Sequence, residues 1–245
     1  MQAVLLAAGV GQRLGIDRPK CLLEIGGKSL LKRHFEALES VGIDKLFVVT
    51  GHLLQMLAQA ISQAAPKFTV EQIYNPNYRQ GSAVSLVAAL QRADQSQPLL
   101  LMDADVLYDP SLLTDLARAG GNALLIDPDF EPGPEPVKVC IKDGQVVEFS
   151  KSVDSDLDYD QIGESVGFFR IASGSLSTLA GCCDQAIVDH GVAVPHETAL
   201  RDGMLSGQLS MNTLQTNARP WLEIDFPQDI ERAINQVLPA IDDRG

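Results

Sequence analysis

Short apolar runs alternate with amphipathic helical segments through the first half of this 245-residue chain, and that alternation restricts the fold more than any other feature. Residues 2–6, 45–50, 69–74, 98–102 and 123–126 read as strands, and Leu99-Leu100-Leu101-Met102 is apolar throughout. Between them, residues 30–41 place Leu30, Leu31, His34, Phe35 and Leu38 at helical spacing, and residues 53–64, 82–92 and 110–119 are also helical. Strands buried on both faces and joined by crossover helices predict an α/β fold with a mostly parallel, doubly wound (Rossmann-like) sheet. Ligands of such sheets bind beyond the carboxyl ends of the strands. The segments 6–15, 75–82 and 103–105, far apart in the chain, are therefore expected at one crevice.

The pattern changes near residue 128. Asp127-Pro128-Asp129-Phe130-Glu131-Pro132-Gly133-Pro134-Glu135-Pro136 is a loop by composition. Residues 137–141 and 145–149 then read as a β-hairpin turning at Asp143-Gly144. A strand at 163–171, helices near 173–188 and 196–206, two more strands and a helix from Pro227 follow. The expected division is one continuous domain: a core (1–127), a small mixed β lobe (about 128–225) and a C-terminal helix (226–245).

The first strand runs into Leu6-Ala7-Ala8-Gly9-Val10-Gly11-Gln12-Arg13-Leu14-Gly15, with Pro19-Lys20 just beyond. A glycine turn after a strand frees backbone N–H groups to face phosphate oxygens. Gly9, Gly11 and Gly15 are spaced one residue too long for the G-x-G-x-x-G dinucleotide fingerprint, and the strand ending Thr50-Gly51-His52 lacks the ribose-binding acid. Gly27-Lys28-Ser29 resembles the end of a Walker A loop, but Leu22 replaces its first glycine; Gly26-Gly27 reads as a tight turn.

Net charge supports an anion site. The chain carries −13 overall, which disfavours nucleic acid as a partner. Residues 1–33 hold six bases (Arg13, Arg18, Lys20, Lys28, Lys32, Arg33) and two acids (Asp17, Glu24), so +4 lies beside the glycine loop and −17 elsewhere. No apolar run reaches the roughly 18 residues of a membrane span. The start shows no signal-peptide pattern. The four cysteines, Cys21, Cys140, Cys182 and Cys183, lack metal spacing and read as reduced buried thiols. A cytoplasmic protein, monomer or homodimer, is expected.

The opening Leu6-Ala7-Ala8-Gly9-x-Gly11-x-Arg13 with Pro19-Lys20-x-Leu22 resembles the signature of the nucleotidyltransferase superfamily, which includes the molybdopterin guanylyltransferase-like proteins. Asn75-Pro76-x-Tyr78 with Gly81-Ser82-x-x-Ser85-Leu86, then Met102-Asp103-Ala104-Asp105-Val106, then Trp221-Leu222-Glu223-Ile224-Asp225 with Asp229, is similar to the phosphocholine cytidylyltransferase-like branch. The likeness covers about residues 2–237. It implies a Mg²⁺-dependent cytidylyltransferase that joins CMP from CTP to a small alcohol phosphate or phosphonate and releases pyrophosphate. It further implies that Asp105 and Asp225 bind the metal, that Lys20 and Arg13 contact the phosphates, and that Lys151 meets the acceptor phosphate.

Such a reaction asks a protein to hold two anions in line and neutralise them. Base and ribose contacts are expected from Leu6, Ala7, Ala8, Gly9, Gly11, Gly81, Ser82 and Asp103. At a strand period of two, Asp103 and Asp105 would share a side, as would Glu223 and Asp225 with Ile224 turned into the core. Asp229 reads as a helix first-turn acid. Acceptor-binding candidates are Tyr78, Glu164, Glu197, Trp221 and Glu223, with His196 nearby. A quaternary ammonium would want an aromatic cage, for which Tyr74, Tyr78, Tyr159, Phe168 and Trp221 are available. The acidic stretch Asp154, Asp156, Asp158, Asp160 reads as a solvated loop, and Lys138 as a solvent-facing strand lysine. Phosphocholine, 2-aminoethylphosphonate and polyol phosphates stay open as acceptors, because Gly81-Ser82-Ala83 replaces the paired asparagines of the phosphocholine branch. A sugar-1-phosphate uridylyl- or thymidylyltransferase and a non-catalytic nucleotide-binding module are the competing readings.

Overall fold

The structure, a computed structural model, describes residues 1–9 and 11–244. Val10 and the side chain of Gln12, both in the glycine loop, lie outside the described residues. In chain order the elements are β1 (Gln2–Ala7), β2 (Glu24–Ile25), β3 (Lys28–Ser29), α1 (Leu30–Val41), β4 (Lys45–Thr50), α2 (Leu54–Ala64), β5 (Thr69–Tyr74), α3 (Ser82–Leu90), β6 (Leu99–Asp103), β7 (Val106–Tyr108), α4 (Pro110–Arg118) and β8 (Ala123–Asp127). They continue as β9 (Lys138–Lys142), β10 (Gln145–Ser150), β11 (Gln161–Ile171), α5 (Leu176–His190), α6 (His196–Leu205), β12 (Asn212–Gln215), β13 (Trp221–Glu223), α7 (Pro227–Arg232) and α8 (Leu238–Asp242).

The main sheet follows the order β10-β9-β11-β6-β1-β4-β5, with β8 on the other edge of β11 and β12 beside β8. Pairing is parallel among β5, β4, β1 and β6 and between β8 and β12. β11 runs antiparallel to β6, β8 and β9, and β10 antiparallel to β9. Seven strands therefore point one way and only β10 and β11 oppose them, so the sheet is mostly parallel, as expected. It runs unbroken across residue 127, because β11 carries both β6 of the first half and β9 of the second.

Strand alternation sorts the core into two layers. Val4, Phe47, Val49, Leu99 and Leu101 join the face covered by α3, α5 and α6. Ala3, Leu5, Leu46, Val48, Leu100 and Met102 join the face under α1, α2 and α4. A third, smaller core holds Leu14, Ile25, Leu30, Leu107, Ile224, Ala233 and Val237 together, so the C-terminal segment packs beneath the glycine loop.

Local chemistry accounts for the element ends. Ser29 caps α1, its hydroxyl accepting the Lys32 N–H at 3.2 Å, and Asp109 caps α4 through the Ser111 N–H at 2.9 Å. Gly26-Gly27, at φ 61° and 76°, forms the expected tight turn between β2 and β3. Asp143 and Gly144, at φ 50° and 75°, turn the β9–β10 hairpin in the type I′ manner. Two features depart from expectation. The strand β7 directly follows the Asp103–Asp105 turn, and the C-terminal helix is interrupted by a π-helical turn, Ala233–Val237. Among the described residues no helix is long and apolar enough to cross a membrane.

Candidate active site

The carboxyl ends of β1 and β6, the glycine loop and the segment before α7 enclose a cavity of about 490 Å³. Leu6, Ala7, Gly9, Gly11, Arg13 and Lys20 line it from the N-terminal loop, and Asp105 and Asp225 line it from the opposite side. Gly11 has φ 66°, and a Cβ there would lie 3.2 Å from Lys20 Cγ, so glycine allows the loop to fold over the lysine stem.

Lys20 is the centre of this site. Its ammonium donates to Asp105 Oδ2 at 2.7 Å and also to Asp225 Oδ1. Burial lowers the pKa of an amine, but the two carboxylates outweigh it and hold Lys20 above the ordinary lysine value, fully charged. Arg13 reaches Asp225 at 3.4 Å and Glu135 at 3.3 Å, and its guanidinium lies over the Phe226 ring.

The 119 residues between Asp105 and Asp225 are closed by a short ladder. β7 starts one residue after Asp105, β13 ends two residues before Asp225, and they pair with Glu223 opposite Val106. The Ile224 N–H then donates to the Asp105 carbonyl at 3.0 Å. Ile224 is fully buried, as its expected inward turn requires. Asp229 Oδ2 accepts the N–H groups of Asp225 and Phe226 at 3.0 and 2.7 Å, which fixes the chain entering α7.

Asp105, Glu223 and Asp225 each offer an oxygen within 4.8 Å of the others. An all-carboxylate set beside a phosphate-shaped loop fits a hard divalent cation such as Mg²⁺. Glu223 keeps part of its side chain in solvent, yet its carboxyl is raised above the usual range by desolvation and then by Asp105 and Asp225. Lys20 pairs with Asp105 and Asp225, and Arg13 with Asp225, so Glu223 is the carboxyl of this set without a basic partner among the described ion pairs.

Asp103 and Asp105 do not share a side, contrary to the period-two expectation. β6 ends at Asp103, and the chain turns at Ala104-Asp105 before β7 begins. Asp105 faces Glu223 and Asp225, whereas Asp103 faces His196 and Glu197. These last three line a smaller cavity of about 230 Å³ with Ala8, Gln80 and Ser82, continuous with the first through Leu6, Gly9, Tyr78 and Asp105. Burial, then Glu197, Asp105 and Glu223, raise the Asp103 carboxyl well above the usual carboxylate range.

Gly167 makes room for Asp103. It stands in the bulge where β11 changes register against β8, at φ 79°, and a Cβ there would lie 2.5 Å from Asp103 Oδ2. Gly81 is required by close packing. Its N–H donates to the Val192 carbonyl at 2.8 Å, and a Cβ would collide with Val194 O. That N–H is therefore spent within the protein and does not face a base. Asn75 is buried and organises its own loop, donating to Ser85 Oγ and accepting the Asn77 N–H, both at 2.9 Å.

A third cavity, about 330 Å³, opens beyond Asp225 between β8, β11, β13 and the 128–136 loop. Glu164, Trp221 and Glu223 line it, as do Asp127, Phe130 and Phe226, which the sequence had not singled out. Glu164 stands opposite Asp127 in the β11–β8 ladder. Burial, then Asp127, push its carboxyl up to about 7.

Other expectations are redistributed. Tyr78 lines the first two cavities and Glu197 the smaller one, and neither lines the third. The five aromatics form no cage: Tyr74 and Tyr159 are exposed, Phe168 is in the core, and only Trp221 borders the third cavity. Lys151 is half-exposed and pairs with Glu135 at 3.0 Å, so Glu135 ties it to Arg13 at the cavity mouth. Lys138 is no solvent-facing lysine. It donates to the carbonyls of Gly133 and Lys151 at 2.8 and 2.7 Å and staples the 128–136 loop to the hairpin. Arg79, from the turn before α3, lines the large cavity and was not anticipated.

The sequence profile of the MobA-like NTP transferase domain matches residues 3–153. The chain belongs to that family. It is accordingly a nucleotidyltransferase. It is 25% identical, over 96% of its length and the whole of the other protein, to a CTP:phosphoglutamine cytidylyltransferase of Campylobacter jejuni. It is 28% identical to the bifunctional IPC transferase and DIPP synthase of Rubrobacter xylanophilus, covering 96% of this chain but 52% of that one. The fold matches the inositol-1-phosphate CTP transferase from T. maritima with a TM-score of 0.81, over 98% of this chain and 96% of that chain, at 19% identity.

Proposed function

We propose that this protein transfers CMP from CTP to a small alcohol phosphate or phosphonate, with Mg²⁺ as cofactor. The observation that carries the reading is Lys20, held between Asp105 and Asp225 where the glycine-loop cavity meets the third cavity through their common wall at Asp225. An acceptor phosphoryl oxygen approaching through the third cavity would meet an α-phosphorus held in the first. The new P–O bond forms as the bond to the β-phosphate oxygen breaks, and pyrophosphate leaves.

Asp105 and Asp225, with Glu223 beside them, would hold the divalent ion, which when bound neutralises phosphate oxygens. Lys20 would turn from its carboxylates to the α-phosphate and acceptor phosphate, where charge develops. Arg13 would hold the outer phosphates, and the glycine-loop amides would hold the remaining oxygens. Lys151, tethered with Arg13 through Glu135, would meet the entering acceptor. The carboxylates and aromatic rings of the third cavity favour an acceptor bearing an amine, of the phosphocholine or 2-aminoethylphosphonate kind, over a neutral polyol phosphate.

Pyrophosphate release tests this directly, with four NTPs against phosphocholine, 2-aminoethylphosphonate, inositol 1-phosphate, glycerol phosphates and hexose 1-phosphates. CTP with an amine-bearing acceptor is expected to give the fastest release. Turnover with UTP or dTTP and a sugar phosphate would replace this reading by the uridylyl- or thymidylyltransferase one. Binding of CTP without release under every pairing would leave a nucleotide-binding module.

A further inference from the structure

Three basic side chains among the described residues line the large cavity, and two of them are already engaged. Lys20 is held by Asp105 and Asp225, and Arg13 by Asp225 and Glu135. Arg79 is the third, and it has no acidic partner among the described residues. The charges lining the cavity come to +1, from Arg13, Lys20 and Arg79 against Asp105 and Asp225; without Arg79 they cancel. A polyanion approaching a chain of net charge −13 needs a positive wall to meet, and Arg79 is the residue that makes this wall positive.

The turn that carries Arg79 is pinned at several points. Asn75 donates its backbone N–H to the Thr50 carbonyl at 2.9 Å, and its own carbonyl accepts the Tyr78 N–H at 3.2 Å. The Gln80 N–H closes a second turn on the Asn77 carbonyl at 2.8 Å. Tyr78 is wedged against the backbone that follows β4: a Cβ on Gly51 would lie 2.3 Å from Tyr78 Cβ, so glycine is needed there. The Arg79 guanidinium lies over the Tyr78 ring, 5.5 Å from its centre, and so rests on a fixed aromatic face. In the sheet order β6-β1-β4-β5, Asp105 enters the cavity from the β6 side, Arg79 from the β5 side, and the glycine loop lies between them. The Arg79 side chain stays exposed, as a group that meets a solute must.

We infer that Arg79 captures the outer phosphates of the entering nucleotide and acts on binding rather than on the chemical step. The inference rests on the proposed use of a nucleoside triphosphate. Arg79 can bond phosphate oxygens with no carboxylate to leave first, whereas Lys20 and Arg13 must each turn from theirs. Its planar fork matches two phosphate oxygens at once. Arg79 lines the large cavity together with Arg13 and Lys20, and it does not line the smaller one, where Gln80 and Ser82 stand. Its partners are therefore phosphates rather than base or ribose. Lys20, between the two aspartates, keeps the chemical step.

Calorimetry with Mg²⁺ on the full chain tests this, comparing CTP with CMP in the wild-type protein, Arg79→Met and Arg79→Lys. Arg79→Met should weaken CTP binding about tenfold or more, the scale of a charged hydrogen bond lost, and should change CMP binding by less than about twofold. The loss should fall on KM for CTP rather than on kcat. The CTP affinity of the variant should also decline less steeply with added salt than that of the wild type. Arg79→Lys keeps the charge and loses the fork, so it should recover part of the affinity. Wild-type CTP affinity in Arg79→Met overturns the inference and leaves the proposed function standing. So does an equal loss of CTP and CMP affinity, or a fall in kcat with KM unchanged. If the wild-type protein binds UTP in place of CTP, the cytidylyl reading falls, and the same comparison with UTP and UMP still decides the role of Arg79. Failure to bind any nucleoside triphosphate removes both.

Discussion

At the scale of single residues, charge placement decides what the site can do. Lys20 is the group best placed to meet charge that builds in a transition state. Lys20→Met and Asp105→Asn should each lower turnover by about a hundredfold or more, read as pyrophosphate release under saturating substrates. Unchanged rates in both would refute the roles given to them. Glu164 gives a separate test, because its carboxyl titrates at about 7 against an ordinary value of 4.5. The native state disfavours its ionised form. Its contribution to stability is complete below about pH 4.5 and is lost as pH rises through 7. Glu164→Gln should therefore raise the unfolding free energy above pH 8 by about 1–2 kcal/mol, allowing for partial solvent screening, with little change near pH 4. Urea titrations at the two pH values measure it. His34 behaves differently: it is buried, bonds Tyr108 and the Ala104 carbonyl, and burial lowers it to about 4. It is a core residue. His196, between Ser82 and Asp103, lines a cavity instead.

At the scale of elements, two small devices bring the carboxylates into place. The β7–β13 ladder joins segments 120 residues apart, and Ile224 anchors it in the third core. Ile224→Ala should cost about 2–5 kcal/mol in unfolding free energy. It should also weaken divalent-ion binding, measured with Mn²⁺, because Asp225 loses its fixed neighbour. The second device is the β11 bulge at Gly167. Gly167→Ala places a methyl group 2.5 Å from Asp103 Oδ2 in a backbone conformation that disfavours side chains. A loss of about 1–3 kcal/mol in stability is expected, with weaker nucleotide binding in calorimetry. Wild-type behaviour in both measurements would show that the bulge adjusts freely. Neither device was legible in the sequence. Val106-Leu107-Tyr108 is three residues long, too short to carry a period, and a bulge is a property of paired strands rather than of one.

At the scale of the molecule, β11 holds the two halves in one sheet, pairing with β6 and β8 of the first half and with β9 of the second. The C-terminal segment acts from the far end of the chain: Ala233 and Val237 pack with Leu14, Ile25 and Ile224 under the glycine loop. Val237→Ala should lower stability by about 1–3 kcal/mol in urea denaturation. It should also loosen the loop, seen as faster amide exchange at residues 13–15.

The sequence alone determined the parallel α/β core, the glycine loop and the basic patch beside it, because periodicity, glycine spacing and charge are local properties; Asp105 and Asp225 were singled out through the family resemblance. The tertiary structure alone decided that Asp103 and Asp105 part company, that Gly81 serves packing, that Lys138 is a staple and that Asp127 faces Glu164. Those outcomes depend on where a strand stops and which distant backbone group takes each hydrogen bond. Both are settled by pairing across the sheet, which no run of neighbouring residues encodes.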